Sequence, residues 1–202
     1  ILISKKRYVA DKYEFNSDEC KRNSMGIVLK RRDNAPIVKH VFGNVIEKIM
    51  IDKNFEKTVI WLQETLREIC KGEFEDHNFI ITKSLRGYYK NPGGIAHKVL
   101  ADRMGERDPG NKPKPGDRMP YVYHVVDDKP IHVGNFKNGK PKYKKKKILQ
   151  GDRIEDPEYI KNNPELKIDY KFYITNQIMN PVKQVLDLGM DPEATLKIFQ
   201  LN

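Results

Sequence analysis

Four stretches of this sequence carry side chains able to do chemistry at a surface, and all four are basic. The first is Lys5-Lys6-Arg7-Tyr8. On an extended strand side chains alternate, so Lys6 and Tyr8 are expected on one face and Lys5 and Arg7 on the other. Ammonium and phenol groups side by side can hold phosphate oxygens and reach the minor-groove acceptors that base pairs offer in similar positions. Such a surface holds DNA without reading its sequence. The plainer alternative is a solvated strand edge whose lysines discourage aggregation. The second stretch, Lys30-Arg31-Arg32-Asp33-Asn34, stands at a strand-to-helix junction. Exposed N–H groups at a helix start favour phosphate, but Asp33 or Asn34 could equally cap them.

The third stretch runs from Arg103 to Val122. Four prolines stiffen it, glycines let its backbone approach a ligand, and Arg107, Lys112, Lys114 and Arg118 make it positive. A structural connector with an Asp117–Arg118 ion pair would use the same residues. The fourth, Lys137 to Lys147, has seven lysines and no acid. It reads either as a tail that holds a polyanion by releasing counterions or as a mobile solvated loop.

Other chemistries find little support. His40, His77, His97, His124 and His132 show no i, i+4 pairing and no cysteine at ligand spacing. There is no Walker-type loop, no G-x-S-x-G and no G-x-G-x-x-G. Asp127-Asp128 is the only adjacent aspartate pair, placed where a hairpin turn precedes Lys129-Pro130. It reads as a turn, with a metal site as the rival. No catalytic residue and no metal ligand is therefore assigned.

The elements that must position these residues follow from periodicity. Residues 5–15 and the apolar run Met25-Gly26-Ile27-Val28-Leu29 are expected as two short strands, with the loop Asn16-Ser17-Asp18-Glu19 between them. Two strands alone are marginal, so they need more sheet or a helix to lean on. Asp33-Asn34-Ala35-Pro36 starts a helix whose stripe is Ile37, Val38, Val41, Phe42, Val45, Ile46, Ile49 and Met50. Asn54 caps a second helix with inner face Phe55, Val59, Leu62, Leu66, Ile69 and Cys70, closed by Gly72. Ile80–Lys83 is extended; Ile95, Ala96, Val99, Leu100 and Met104 mark a third helix; Tyr121–Val126 and Ile131–Val133 read as strands. Helix returns near Asp156-Pro157. A long helix from Asp169 to Leu188 must be kinked or split at Pro181, and Asp191-Pro192-Glu193 opens a last one.

At 202 residues the chain suits one domain or two small ones. Lys plus Arg number 38 against 28 Asp plus Glu, a formal charge of +10 that favours a polyanion partner. Cys20 and Cys70 cannot build a disulfide framework, which suggests a reducing, intracellular setting. No apolar run approaches the ~20 residues that span a bilayer, and no membrane partner is expected. The chain opens without methionine, abruptly in strand-like sequence, as a fragment would.

Several segments, taken in order, resemble the C-terminal part of family B DNA polymerases, most closely the delta-like enzymes of eukaryotes and of large nucleocytoplasmic DNA viruses. They are Lys5-Lys6-Arg7-Tyr8, Gly26, Arg31-Arg32-Asp33-Asn34-Ala35-Pro36, Ile81-Thr82-Lys83, Ala96-His97 and Leu100-Ala101-Asp102-Arg103-Met104. Arg107-Asp108-Pro109-Gly110, Gly116-Asp117-Arg118-Met119-Pro120-Tyr121-Val122 and Asp169-Tyr170 with Tyr173, Gln177, Pro181 and Val182 follow. The resemblance implies an α+β chain: a short β-hairpin remnant of the palm over residues 1–35, then a mainly helical thumb over 36–202. It implies duplex grip by Lys5, Lys6, Arg7 and Tyr8, phosphate contacts by Arg31 and Arg32, and thumb contacts by Lys83, Arg107 and Arg118.

The departures matter too. The two aspartate motifs that hold divalent ions in this family, and its nucleotide-binding helix, lie upstream of Lys-Lys-Arg-Tyr and do not occur in this sequence. The exonuclease segments and the cysteine-rich extension of the cellular delta enzyme do not occur either. The resemblance therefore implies a part of a DNA-directed DNA polymerase that is inactive alone and has no cofactor of its own. The magnesium and dNTPs of the parent enzyme would be bound by the missing palm and fingers. Primer–template duplex is the expected partner, with a processivity factor as a further one, in the nucleus or a cytoplasmic viral factory. The lysine-rich stretch matches no family motif. The rivals are a free-standing basic nucleic-acid-binding accessory module and a nuclease using Asp127 and Asp128.

Overall fold

The computed structural model describes residues 1–15, 19–127, 131–136, 138–144 and 147–200. The chain divides into two compact units, Ile1–Ile81 with Tyr170–Asn202, and Thr82–Asp169. The architecture is mixed α/β, with small open sheets and a C-terminal helical part. Among the described residues no helix is long and apolar enough to cross a membrane.

The first unit opens with an antiparallel sheet of β1 (Leu2–Ser4), β2 (Arg7–Tyr13) and β3 (Cys20–Met25). The second strand was expected at Met25–Leu29, but it ends at Met25. Gly26 takes φ +63° and turns the chain out of the sheet, which drops Ile27 into the core and sends Val28–Lys30 into a 3₁₀ turn. Polar β3 lacked the apolar alternation that marks a half-buried strand, because it is an exposed edge carrying Lys21 and Arg22. Arg22 lies opposite Asp11 in the ladder, and its guanidinium also reaches Glu47 of the first helix. That pairing raises the Arg22 pKa and lowers that of Asp11, the hydrogen bond between them being the main cause in each.

Helix α1 (Pro36–Asp52) buries the expected stripe from Ile37 to Ile49. Its N-cap is Ala35, which has no capping side chain: Asp33 instead pairs with Arg31, and Asn34 donates to the Val28 carbonyl. Helix α2 (Phe55–Lys71) is capped as its sequence indicates. Asn54 accepts from the Lys57 N–H, and Gly72 at φ +74° closes the C-terminus. A Cβ at Gly72 would come within 3.0 Å of the Tyr170 hydroxyl, so the glycine also admits the returning chain.

In the second unit, β4 (Ile81–Ser84), β5 (Arg118–Tyr123) and β8 (Ile154–Glu155) form a sheet, with helices α3 (Ala96–Arg107) and α4 (Pro157–Asn162) around it. β5 starts three residues before the expected strand at Tyr121–Val126. Its buried run is Met119 to Tyr123, whereas Val125 is exposed. β6 (Ile131–Asn135) and β7 (Pro141–Lys144) make a separate two-stranded hairpin. Part of the lysine-rich stretch is thus a paired strand, not a loop; Lys137, Lys145 and Lys146 lie outside the described residues.

The long C-terminal helix is neither split nor interrupted. α5 (Tyr170–Phe172) passes into a π-helical segment (Tyr173–Ile178) and then α6 (Met179–Leu186). The Met179 N–H donates to the Ile174 carbonyl five residues back. The wider register lies immediately ahead of Pro181, where the missing N–H and the crowding of its ring against the preceding turn must be accommodated. Tyr173 is fully buried and its hydroxyl donates to the Phe79 carbonyl at 2.5 Å. α7 (Pro192–Ile198), capped by Asp191, ends the described chain.

Candidate nucleic-acid interface

Lys5 and Lys6 are not on a strand. They form the two-residue turn between β1 and β2, whose flanking residues Ser4 and Arg7 face each other across the ladder. The expected sharing of faces between Lys6 and Tyr8 therefore does not arise. Both ammonium groups stand exposed at the tip of a hairpin. Lys6 takes φ +63°, a left-handed conformation that an L side chain adopts at a cost of about 1–2 kcal/mol. The neighbouring chain enforces it. A Cβ at Gly26 would lie 2.2 Å from the Lys6 carbonyl oxygen, so only glycine lets that backbone press against the turn.

Arg7 is fixed from the other side: its Nη2 donates to Gln184 Oε1 of α6 at 2.6 Å. A neutral amide orients the guanidinium without cancelling its charge. Tyr8, half-buried, pairs with Met25 in the β2–β3 ladder. Arg31 is exposed and makes a bidentate pair with Asp33 at 2.8 and 3.0 Å, and Arg32 is exposed beside it in sequence. The first unit therefore presents Lys5, Lys6 and Arg32 to solvent and holds Arg7 and Arg31 on acceptors of its own.

In the second unit Lys83 is exposed on β4. Near it His97 Nε2 lies 3.1 Å from the Tyr89 hydroxyl; burial first, then the Lys83 charge, hold the imidazole below its usual pKa. Arg118 lies across the same sheet, donating to the Thr82 hydroxyl at 2.8 Å and to the Thr82 carbonyl at 3.2 Å. Instead of pairing with Arg118, Asp117 accepts from the Lys114 N–H at 2.7 Å. Lys112, Lys114 and Arg118 line one open groove with Met104 and Asp156.

Arg107 has a different setting. Both its terminal nitrogens donate to Glu155, at 3.1 and 2.9 Å, and its guanidinium stacks 3.7 Å from the Tyr159 ring centroid. Arg103 joins it, donating to the Gly151 and Ile154 carbonyls while its Nε lies 3.3 Å from Glu155, close enough for charge attraction but without a hydrogen bond. Glu155 is 3% exposed. Burial pushes its pKa up, but the Arg107 hydrogen bonds, the Asp156 N–H and the two guanidinium charges outweigh that and leave it below the ordinary glutamate value. Neither Glu155 nor Gln184 stood out in the sequence. Each is an ordinary polar residue whose role depends on a contact 48 or 177 residues away.

Among the described residues no three His, Cys, Asp or Glu side chains come together as a metal site. The aspartate pair is only half open to view, Asp127 being exposed and Asp128 outside the described residues. The acids described here do not fit a two-metal centre, and no step is derived through one.

The family model for DNA polymerase family B matches residues 1–188. The chain belongs to the family B DNA polymerases. It is 49% identical over 199 residues to the DNA polymerase of Acanthamoeba polyphaga mimivirus, covering 98% of this chain and 11% of that protein. It is 48% identical over 190 residues to the DNA polymerase of Pyramimonas orientalis virus, covering 94% and 14%. The DNA polymerase delta catalytic subunit of Schizosaccharomyces pombe is 30% identical over 199 residues, covering 96% and 16%. The chain thus spans between a tenth and a sixth of these relatives' length. The fold matches the family B DNA polymerase of the hyperthermophilic archaeon Pyrobaculum calidifontis with a TM-score of 0.64 and 19% identity, over 93% of this chain and 21% of that one.

Proposed function

We propose that this chain is the C-terminal palm end (residues 1–35) and thumb (36–202) of a DNA-directed DNA polymerase, and that it grips primer–template duplex without sequence preference. Lys5, Lys6 and Tyr8 take the duplex near the growing end, Arg31 and Arg32 take phosphates, and Lys83 and Arg118 extend the contact. Arg7 reaches the duplex from its anchor on Gln184, whereas Arg107, paired with Glu155, supports the contacts that the second unit makes. The divalent ions and dNTPs are the business of polypeptide outside this chain, which alone does not polymerise. The parent enzyme works where DNA is replicated, in a nucleus or a viral factory.

The observation that carries this reading is the Lys5–Lys6 turn: two exposed ammonium groups, with Lys6 in a left-handed conformation that Gly26 enforces, beside an oriented Arg7. A left-handed residue in the two-residue β1–β2 turn sets both ammonium groups at the tip of the hairpin, where a polyanion can reach them. Duplex binding tests it. Lys6→Gln keeps the aliphatic stem and removes the charge. It should weaken binding alike on unrelated sequences and lower the salt slope by about 1. Loss confined to particular sequences, or an unchanged salt slope, would remove the Lys5–Lys6 turn from the interface.

A further inference from the structure

The β6–β7 hairpin has no part in the duplex grip just described, and its surface is unusual. The Phe136 N–H donates to the Lys140 carbonyl at 2.8 Å, the Gly139 N–H to the Phe136 carbonyl at 2.9 Å, and Gly134 and Gly139 take positive φ. On this frame Phe136 is 53% exposed, Tyr143 60% and Val133 47%. Lys140, Lys142, Lys144 and Lys147 are exposed too. Lys142 Nζ lies 5.6 Å from the Phe136 ring centroid, which puts a cation and a flat apolar face at one spot. From Ile131 to Gln150 the sequence has no acid at all.

We infer that this hairpin is a second nucleic-acid site, specific for single strands, in which bases stack on Phe136 and Tyr143 while the lysines hold the phosphates. Charge decides the sign of the occupant: an acid-free, lysine-rich ribbon takes a polyanion. The rings decide its form. A duplex keeps its base faces closed, whereas an unpaired strand offers a flat face at each nucleotide, and stacking on exposed aromatics beside a basic track is how proteins hold single strands without reading them. A lysine ammonium over a ring already places both halves of a nucleotide's contact together. A two-stranded ribbon is also marginal alone, so it can settle around a flexible strand.

The test measures how the 202-residue chain binds a short oligothymidylate and a blunt duplex of the same length. The double substitution Phe136→Ala/Tyr143→Ala replaces two side chains that are more than half exposed, and the thermal unfolding curve of the variant is recorded beside its binding. The substitution should weaken oligothymidylate binding on the order of tenfold or more and leave duplex binding unchanged. Phe136→Trp/Tyr143→Trp should keep or raise single-strand affinity, and Lys142→Gln should reduce its salt slope by about 0.7. Unchanged oligothymidylate binding in the alanine pair would overturn the inference. So would an equal loss on both nucleic acids, failure of the tryptophan pair to bind, or ring-dependent binding to phosphatidylserine vesicles in preference to the oligonucleotide. The inference stands apart from the duplex reading, because Lys6→Gln on duplex tests the one and the ring pair on single strands tests the other.

Discussion

In the first unit a surface arginine is held by a neutral amide, Arg7 on Gln184; in the second, two arginines converge on a buried carboxylate, Arg103 and Arg107 on Glu155. The amide orients a positive charge and leaves it whole. The carboxylate neutralises its partners and becomes part of the unit's interior, with Tyr159 stacked over Arg107. Two arginines of equal promise in the sequence therefore end in different work. One has no carboxylate in its Gln184 contact to neutralise its charge, and the other binds helix α3 to strand β8.

The sharpest separation of the two anchors comes from Glu155→Gln. The substitution keeps the shape but leaves the Arg103 and Arg107 charges without their partner. Breaking a buried pair costs about 3–5 kcal/mol; here the arginines are a quarter to a third exposed, so about 2–3 kcal/mol is expected. The loss should appear as faster hydrogen exchange across α3 and α4, with β1–β3 unaffected. Equal protection in both proteins would mean that Glu155 anchors nothing.

The same carboxylate makes the second unit sensitive to acid. The folded-state pKa of Glu155 lies below the ordinary glutamate value near 4.5. Its stabilising contribution is therefore complete above that value and is lost as the pH falls from there toward the depressed one. Exchange protection of α3 should decline over that window more steeply in the native chain than in Glu155→Gln, where Asp102 of α3, held low by its hydrogen bond from Lys98, is still left to titrate. The Arg7–Gln184 contact contains no carboxyl group and should persist throughout. The first unit's own acidic clip, Arg22 with Asp11 and Glu47, is at the surface and contributes less.

Gly26→Ala tests the turn that the first unit presents. The new Cβ cannot sit 2.2 Å from the Lys6 carbonyl oxygen, and φ +63° strains any side chain. Backbone must move, at a cost of about 2 kcal/mol in chemical denaturation. If the Lys5–Lys6 turn is the grip, duplex affinity should fall further than with Lys6→Gln, because the whole turn is displaced. A stable Gly26→Ala chain with native duplex affinity would argue that the turn's geometry is irrelevant to binding.

Much of this was legible in the chain itself, and the illegible parts share a cause. Helices α1 and α2 followed from periodicity and from Pro36, Asn54 and Gly72, since their signals are local. Strand β3 was misplaced because an exposed edge strand needs no apolar alternation, while the buried Ile27 belongs to a turn. Lys5 and Lys6 read as strand residues because nothing within four positions announces a turn; Gly26, twenty residues on, is what shapes it. Pro181 was expected to kink or split its helix because a π register has no sequence mark of its own. The anchors were invisible for the same reason. Gln184 and Glu155 acquire meaning only through partners far away in the chain, so the site's cations could be picked out while the groups that sort them could not.

The smallest effect should come from Gln184→Leu, and it isolates orientation from charge. The substitution keeps the size of the side chain and removes the acceptor for Arg7 Nη2. A single exposed hydrogen bond contributes about 0.5–1.5 kcal/mol, and its loss leaves Arg7 charged, mobile and solvated, not buried and unpaired. Stability should hardly change. Duplex affinity should fall a few-fold, because the guanidinium must then be ordered at the moment of binding, while the salt slope stays as it was since no charge has been removed. Gln184→Glu separates this from simple loss of contact: it restores an acceptor but neutralises Arg7, so its salt slope should drop as well. If Leu and Glu behaved alike, with affinity and slope both unchanged, Arg7 would be a structural clip like Arg107 and the distinction between the two anchors would collapse.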